Sequence, residues 1–258
     1  MRLPYESTHL QNDILDRDNA HRMEFLTTIR YFDLMIKPQS RILDVSAGSG
    51  RYSFYLAEKG HKVTAGDLVE KHVSQMLEKQ HNNGIDMEIY QGNANDLSRF
   101  KNDSFDVVLF MGPYYHLLDE VERIKAIKES LRVLKKCGLL FWSYLNRIPM
   151  FLVEIIRRNR VVNEKFFDDV INKGILTESK ESVFYFSKPD EIEIQIKCLA
   201  AEKLKNISVD GICYLIKDRL NNMSKNEFND WMRYHYYTCE DPDLLGYGLH
   251  GLMICRKI

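Results

Sequence analysis

The chain has 258 residues, of which 45% are hydrophobic and 28% charged, an ordinary globular composition with room for one large domain. Its formal net charge of −1 gives no global basic field, which argues against nucleic acid as the partner. The five cysteines, Cys137, Cys198, Cys213, Cys239 and Cys255, form no CxxC pair and read as reduced thiols. No signal-peptide-like apolar core follows Met1, and no apolar run approaches the ~20 residues of a membrane span. A cytoplasmic chain without a membrane partner is therefore expected.

In chain order, Met23, Leu26, Ile29, Phe32, Leu34 and Met35 carry the apolar spacing of an amphipathic helix over about 16–36, which Pro38 closes. A short buried strand follows at 41–45, then Ser46-Ala47-Gly48-Ser49-Gly50, then a helix over 52–59 ended by Gly60. Strands are predicted at 62–67, 87–90, 105–110 and 139–142, with helices over about 70–82 and 120–134 between them. Strands alternating with helices of this length predict a parallel sheet with right-handed crossovers. Beyond Asn146 the rhythm changes. Residues 149–174 are expected to be mostly helical and carry the cluster Arg157-Arg158-Asn159-Arg160. A helix after Pro189, a strand near 204–209, two helices between Cys213 and Tyr237, and a last strand over 248–255 complete the chain.

The informative segment is Asp44-x-x-x-Gly48-x-Gly50, placed where the first strand turns into a helix. Glycine there lets a ligand approach the backbone, and the helix N-terminus favours negative groups. Asp67 ends the second strand, where an acid accepts hydrogen bonds from ribose hydroxyls. A nucleoside-containing cofactor follows, although a nicotinamide-binding loop is written almost the same way. The acid Asp44 and the polar cluster Gly92-Asn93-Ala94-Asn95-Asp96 add to the pattern.

With those residues in place, Ile42-Leu43-Asp44-Val45-Ser46-Ala47-Gly48-Ser49-Gly50 resembles motif I of class I S-adenosylmethionine (SAM)-dependent methyltransferases, with Ser46 at the first glycine. Asp67 is similar to the ribose-binding acid of motif II. Gly92-Asn93-Ala94 resembles the motif that borders adenine, with Asn93 in place of its acid. The run from Phe105 to Leu117 looks like the fourth-strand motif beside the transferred methyl. Arg132-Val133-Leu134-Lys135-Lys136-Cys137-Gly138-Leu139 resembles the turn into strand five, with Cys137 at a glycine. The likeness covers about residues 25–145 and is nearest to the small-molecule branch that includes the quinone-biosynthesis C-methyltransferases.

The resemblance implies an α/β, Rossmann-like fold: a seven-stranded, mostly parallel sheet with its last strand antiparallel, helices on both faces and helical lid insertions. It implies SAM as cofactor, bordered by Asp44, Ser46, Ala47, Gly48, Gly50, Asp67, Leu68, Asn93, Ala94 and Met111. Tyr114, Tyr115 and His116 follow strand four and are the candidate catalytic residues, on the acceptor side. His116 is read either as a base or orienter or as a plain wall of the SAM site. The expected organisation is one domain over 1–258: a helical cap at 1–36, a SAM-binding core at 40–146, and lid helices at 147–175 and 213–238. Tyr5, Arg22 and Glu24 are cap residues, and His235 and His250 are candidates for an acceptor pocket. No metal-ligand pattern occurs. Methyl transfer to a small-molecule acceptor by in-line displacement is the expected function. The rival readings are an RNA methyltransferase, a nicotinamide-dependent oxidoreductase and a catalytically inactive SAM-binding regulator.

Overall fold

Strand β1 (Arg41–Asp44) is flanked on both sides, by β2 (Lys62–Asp67) and β4 (Phe105–Phe110), and Ile42 and Leu43 are fully buried. In the computed structural model, which describes residues 18–176 and 184–258, this strand is the centre of a seven-stranded sheet. The order is β3-β2-β1-β4-β5-β7-β6, with β3 (Glu88–Gln91), β5 (Leu134–Leu145), β6 (Ala201–Ser208) and β7 (His250–Lys257). Strands β1 to β5 pair in parallel, and β7 runs antiparallel to both β5 and β6. Chain order reverses between β1 and β4, and the carboxyl edge at such a switch point is where open α/β sheets bind ligands.

Side chains alternate across the sheet with the period of two that strands impose. Val107, Leu109, Leu252 and Ile254 face one core; Val108, Phe110, Met253 and Cys255 face the other. The first core is filled by α1 (Asn19–Met35), α2 (Arg51–Glu58) and α10 (Lys225–Thr238), with Phe32 edge-on to Phe141 at 5.0 Å. The second is filled by α5 (Glu120–Val133) and α8 (Pro189–Lys197). Asp18 starts α1 by accepting the His21 amide at 3.0 Å, one of the orphan donors of a first turn. Tyr5 and the earlier part of the expected cap lie outside the described residues.

Two expectations change. Strand β5 begins at Leu134, not at Leu139, because Leu134 already pairs with Phe105. The register then slips before Val107 pairs with Leu139, so the expected turn is a bulge inside the strand. Cys137 sits there at φ +62. The 213–238 segment, expected as a lid, also packs into the first core. Its α9 (Lys217–Asn221) and α10 bury Leu220, Phe228 and Met232 in the same core as α1 and buttress that helix.

The 147–175 segment folds as α6 (Arg147–Arg158), α7 (Glu164–Phe167) and a π-helical turn (Asp168–Asn172). Buried Arg147 donates to the carbonyls of Phe186, Ile171 and Asn172 and to Glu191 at 2.6 Å, tying this segment to α8. The basic cluster is occupied internally. Arg158 and Arg160 both reach the fully buried Glu154 at 2.8 Å, and Arg157 donates to the Tyr214 carbonyl at 2.7 Å.

Candidate functional site

The loop leaving β1 is held from below by Asp44. Its carboxylate accepts the Ser53 hydroxyl at 2.7 Å and the Ser46 amide at 3.4 Å. Complete burial pushes its pKa up to about 7; the Ser53 and Ser46 hydrogen bonds oppose that rise, and the charge on Asp67 adds to it. Asp44 therefore shapes the loop from inside. Gly50, at φ +86, has no room for a Cβ, which would stand 2.8 Å from the Phe54 ring and 2.9 Å from Met76. Gly48, at φ +57, differs: a Cβ there meets nothing within 4 Å, so this bend faces open space. Gly50 serves packing, and Gly48 leaves a ligand free access to the backbone.

Asp67 connects this loop to β2. Its Oδ2 accepts the Gly48 amide at 2.8 Å, while Oδ1 accepts the Val69 amide at 2.9 Å and meets His72 Nδ1 at 3.1 Å. A carboxylate has about four acceptor positions, so one remains, on Oδ2. Next to it Leu68 and Val69 are exposed at 62% and 47%, an apolar shelf on the carboxyl edge. Across the shelf Ala94 is buried and Asn93 is exposed. The Asn93 side-chain oxygen accepts the Asn95 amide at 2.9 Å, so it caps its own loop and keeps a single lone pair for a ligand. Met111, half-buried, follows β4 and packs against the first core.

Of the three residues expected on the acceptor side, one leaves. Tyr114 is buried, packs edge-on to Trp142 at 4.8 Å and donates its hydroxyl to Gln195 of α8 at 2.8 Å. It belongs to the second core, because α4 (Pro113–His116) turns successive side chains to different sides. Tyr115 and His116 stay at the edge, their rings 5.0 Å apart, with Phe184 4.9 Å from the imidazole. Surrounding protein holds His116 below its usual pKa, against the opposing charge of Asp67.

The structure adds a polar cluster beneath α1. His250 opens β7 opposite Leu145, the carboxyl end of β5, so it shares the edge with Tyr115. Its Nδ1 lies 2.8 Å from Asp210 and 3.8 Å from Glu24 of α1. Burial alone would lower its pKa; Glu24 and Asp210 overcome that and raise it to about 9. Burial and then the Glu24 charge hold both Tyr52 of α2 and Tyr115 well above the ordinary phenol value. Glu24 and His250 are thus brought together, whereas His235 is a core residue, 3.0 Å from Thr27 and held near pKa 4 by burial. Arg22 packs over the Phe228 ring. No motif in the sequence marks Tyr52 or Asp210, since only the crossing of α1 over β7 assembles them.

Residues 42–138 match the family model described as a methyltransferase domain. The chain is 32% identical over 117 residues to a ubiquinone biosynthesis O-methyltransferase of Pseudomonas entomophila, covering 45% of this chain and 49% of that protein. It is 34% identical over 146 residues to a putative methyltransferase of Geobacillus, covering 56% and 51%. The chain spans about half the length of the curated relatives it matches. Among solved structures, a SAM-dependent methyltransferase from Methanosarcina mazei superposes with TM-score 0.62 at 20% identity, covering 88% of this chain and 97% of that one. The PH0226 protein of Pyrococcus horikoshii gives TM-score 0.64 at 17% identity, covering 98% and 100%. The fold is the Rossmann-like fold of these proteins.

Residues 42–138 match a methyltransferase domain, and the fold around them is that of SAM-dependent methyltransferases. The methyltransferase edge described above fits that cofactor. Gly48 opens onto free space, Asp67 keeps an acceptor position for a ribose hydroxyl, and Leu68 with Ala94 offers apolar walls to a purine. Among the described residues no cluster of His, Cys, Asp and Glu is placed to hold a metal ion. No described helix is long and apolar enough to cross a membrane.

Proposed function

We propose that the chain binds SAM at the Gly48–Asp67–Asn93 edge and methylates a small-molecule acceptor enclosed beneath α1. The observation that carries this reading is the Glu24, Tyr52, Tyr115 and His250 cluster, built from the chain's own α1, α2, α4 and β7 beside the fourth-strand motif. Bound SAM supplies an electrophilic methyl on a sulfonium. The protein's contribution is then to hold the acceptor atom in line at about 3–3.5 Å and to exclude water. Tyr52 and Tyr115 give the enclosure aromatic walls, and Phe25, stacked on Tyr52 at 5.6 Å, backs the Tyr52 ring from the core. The hydroxyls of Tyr52 and Tyr115 remain protonated and act as hydrogen-bond donors to the acceptor.

An RNA acceptor would need cations left over for phosphates. Arg157, Arg158 and Arg160 instead satisfy Glu154 and a backbone carbonyl. The test is incubation with methyl-labelled SAM and the small-molecule fraction of a cell extract. A labelled small product is expected. Labelling of purified RNA that weakens steeply with salt would overturn the reading, as would absence of any transfer by protein that binds SAM.

A further inference from the structure

The second polar feature of the carboxyl edge is the pair formed by Asp210 and His250. Asp210 is buried and grips His250 twice. It accepts the His250 amide at 3.1 Å through Oδ1 and faces the ring Nδ1 at 2.8 Å through Oδ2. The grip fixes the ring plane and commits Nδ1. The other ring nitrogen, Nε2, makes no hydrogen bond to any described residue, while the side chain retains 27% of its exposure. Glu24, on the opposite element, contributes a second carboxylate 3.8 Å from Nδ1. An imidazole oriented by one carboxylate at Nδ1, with Nε2 left for a ligand, is the arrangement of a general base.

We propose that His250, positioned by Asp210, is the proton acceptor for the methyl-accepting group, whose nucleophile is therefore a protic heteroatom, a hydroxyl or an amine. This rests on the methyltransferase reading above and moves the base from His116 to the start of β7. His250 Nε2 takes the proton from the acceptor's X–H. The electron pair left on X forms the new bond to the methyl carbon, and the pair of the breaking C–S bond stays on sulfur. Nε2 then returns its proton to water.

The groups facing the dyad set its pH dependence. They are Glu24 from α1, with Tyr52 of α2 and Tyr115 of α4 facing Glu24 in turn, and Cys213, Tyr214 and His235 beside Asp210. Burial raises the thiol of Cys213 and the three phenols, and lowers His235 to about 4, so these five stay neutral near pH 7. The carboxylates of Glu24 and Asp210 dominate and hold His250 up to about 9. Only neutral His250 accepts a proton, so transfer climbs with pH until that value. Asp210→Asn removes one of the two carboxylates and moves the limb down.

The experiment combines two measurements on the full chain. Nitrogen-15 imidazole resonances are titrated in protein loaded with S-adenosylhomocysteine, and transfer from labelled SAM to small molecules of a cell extract is followed from about pH 6 to 10. The expected result is a His250 titration near 9 that drops in Asp210→Asn, with a matching rate limb. His250→Gln should lower kcat about 100-fold, remove the limb and leave S-adenosylhomocysteine affinity intact. A His250 titration in the ordinary histidine range, or a His250→Gln variant with the parent's rate and limb, overturns the proposal. So does a labelled product methylated on carbon. If the cofactor product binds but nothing is labelled in any variant, the methyltransferase reading itself fails, which is a different result from failure of the dyad alone.

Discussion

The Ser46 hydroxyl lies 2.9 Å from the position that a Cβ on Gly112 would occupy. Ser46 stands at the first glycine of motif I, and Gly112, at φ +145, follows β4. The side chain gained at one strand end is therefore accommodated by the absence of one at the next. Gly112→Ala is expected to destabilise the protein by about 1–3 kcal/mol from backbone strain and contact together. Ser46→Gly should recover the contact part but not the strain. A double-mutant cycle by urea unfolding reads the coupling, and purely additive effects would show that the two residues do not share this space.

Asp67 and His72 make a contrasting pair. Asp67→Ala removes the proposed acceptor for ribose hydroxyls and should weaken SAM binding by about 1.5–3 kcal/mol per lost charge-assisted hydrogen bond. His72 occupies Oδ1 at 3.1 Å, so a ribose diol that uses both oxygens must displace it. His72→Ala is expected to bind SAM as well as the parent or more tightly. Calorimetry decides, and a His72→Ala protein that loses affinity would mean that His72 contacts the cofactor.

The sequence carries the parallel half of the fold openly, because the apolar stretches of β1, β2 and β4 are bounded by polar turns and helices separate β1, β2 and β3. The meeting of Gly48 with Asp67 is also legible, because both lie in one β-α-β unit and need no distant partner. The bulge at Cys137 is hidden, since Leu134 fits a helix end as well as a strand start until Phe105 is placed beside it. Tyr114 and Tyr115 are adjacent and chemically alike, so only the direction of α4 separates a core residue from an edge residue. His250, Glu24 and Asp210 are far apart in the chain, and their meeting depends on α1 crossing the start of β7.

That separation of the tyrosines has a measurable consequence. Tyr114→Phe loses the hydrogen bond to Gln195 and should cost stability by about 1 kcal/mol while sparing transfer. Tyr115→Phe and His116→Ala should reduce methyl transfer with SAM affinity nearly intact, because both side chains border the proposed acceptor site. Chemical unfolding and labelled-SAM assays on the three variants give the pattern. Transfer lost in Tyr114→Phe alone would return that residue to the site.

Cys137 offers a gain instead of a loss. A non-glycine residue in the left-handed region carries about 1–2 kcal/mol of steric strain, and Cys137 holds φ +62 at an exposed position. Cys137→Gly should raise stability by somewhat less than this, since glycine also loses more backbone entropy on folding. The neighbouring Gly138 is the control: a Cβ there would stand 2.8 Å from the Lys135 carbonyl and 2.9 Å from that of Asp106. Gly138→Ala should destabilise. A melting temperature that falls in Cys137→Gly would mean that the thiol contributes packing that its exposure does not reveal.

The buried ionisable groups set how stability follows pH. Asp44 rises from an ordinary 3.8 to about 7, so between these values the folded state holds more protons than the unfolded one, and stability falls as pH rises. His235 drops from 6.5 to about 4, so over that range the unfolded chain holds more protons and stability rises with pH. The two slopes oppose each other between about pH 4 and 6.5. His250, raised from 6.5 to about 9, contributes stability that is full below 6.5 and is lost as pH climbs through 9. Asp44→Asn, whose side-chain oxygen still accepts the Ser53 hydroxyl, leaves the His235 slope unopposed, so its stability should rise with pH in the acid window. His250→Gln should flatten the alkaline window and leave the acid one unchanged. Urea unfolding of the parent and both variants across the two windows reads these slopes, and an Asp44→Asn profile parallel to the parent's would show that Asp44 is ionised throughout.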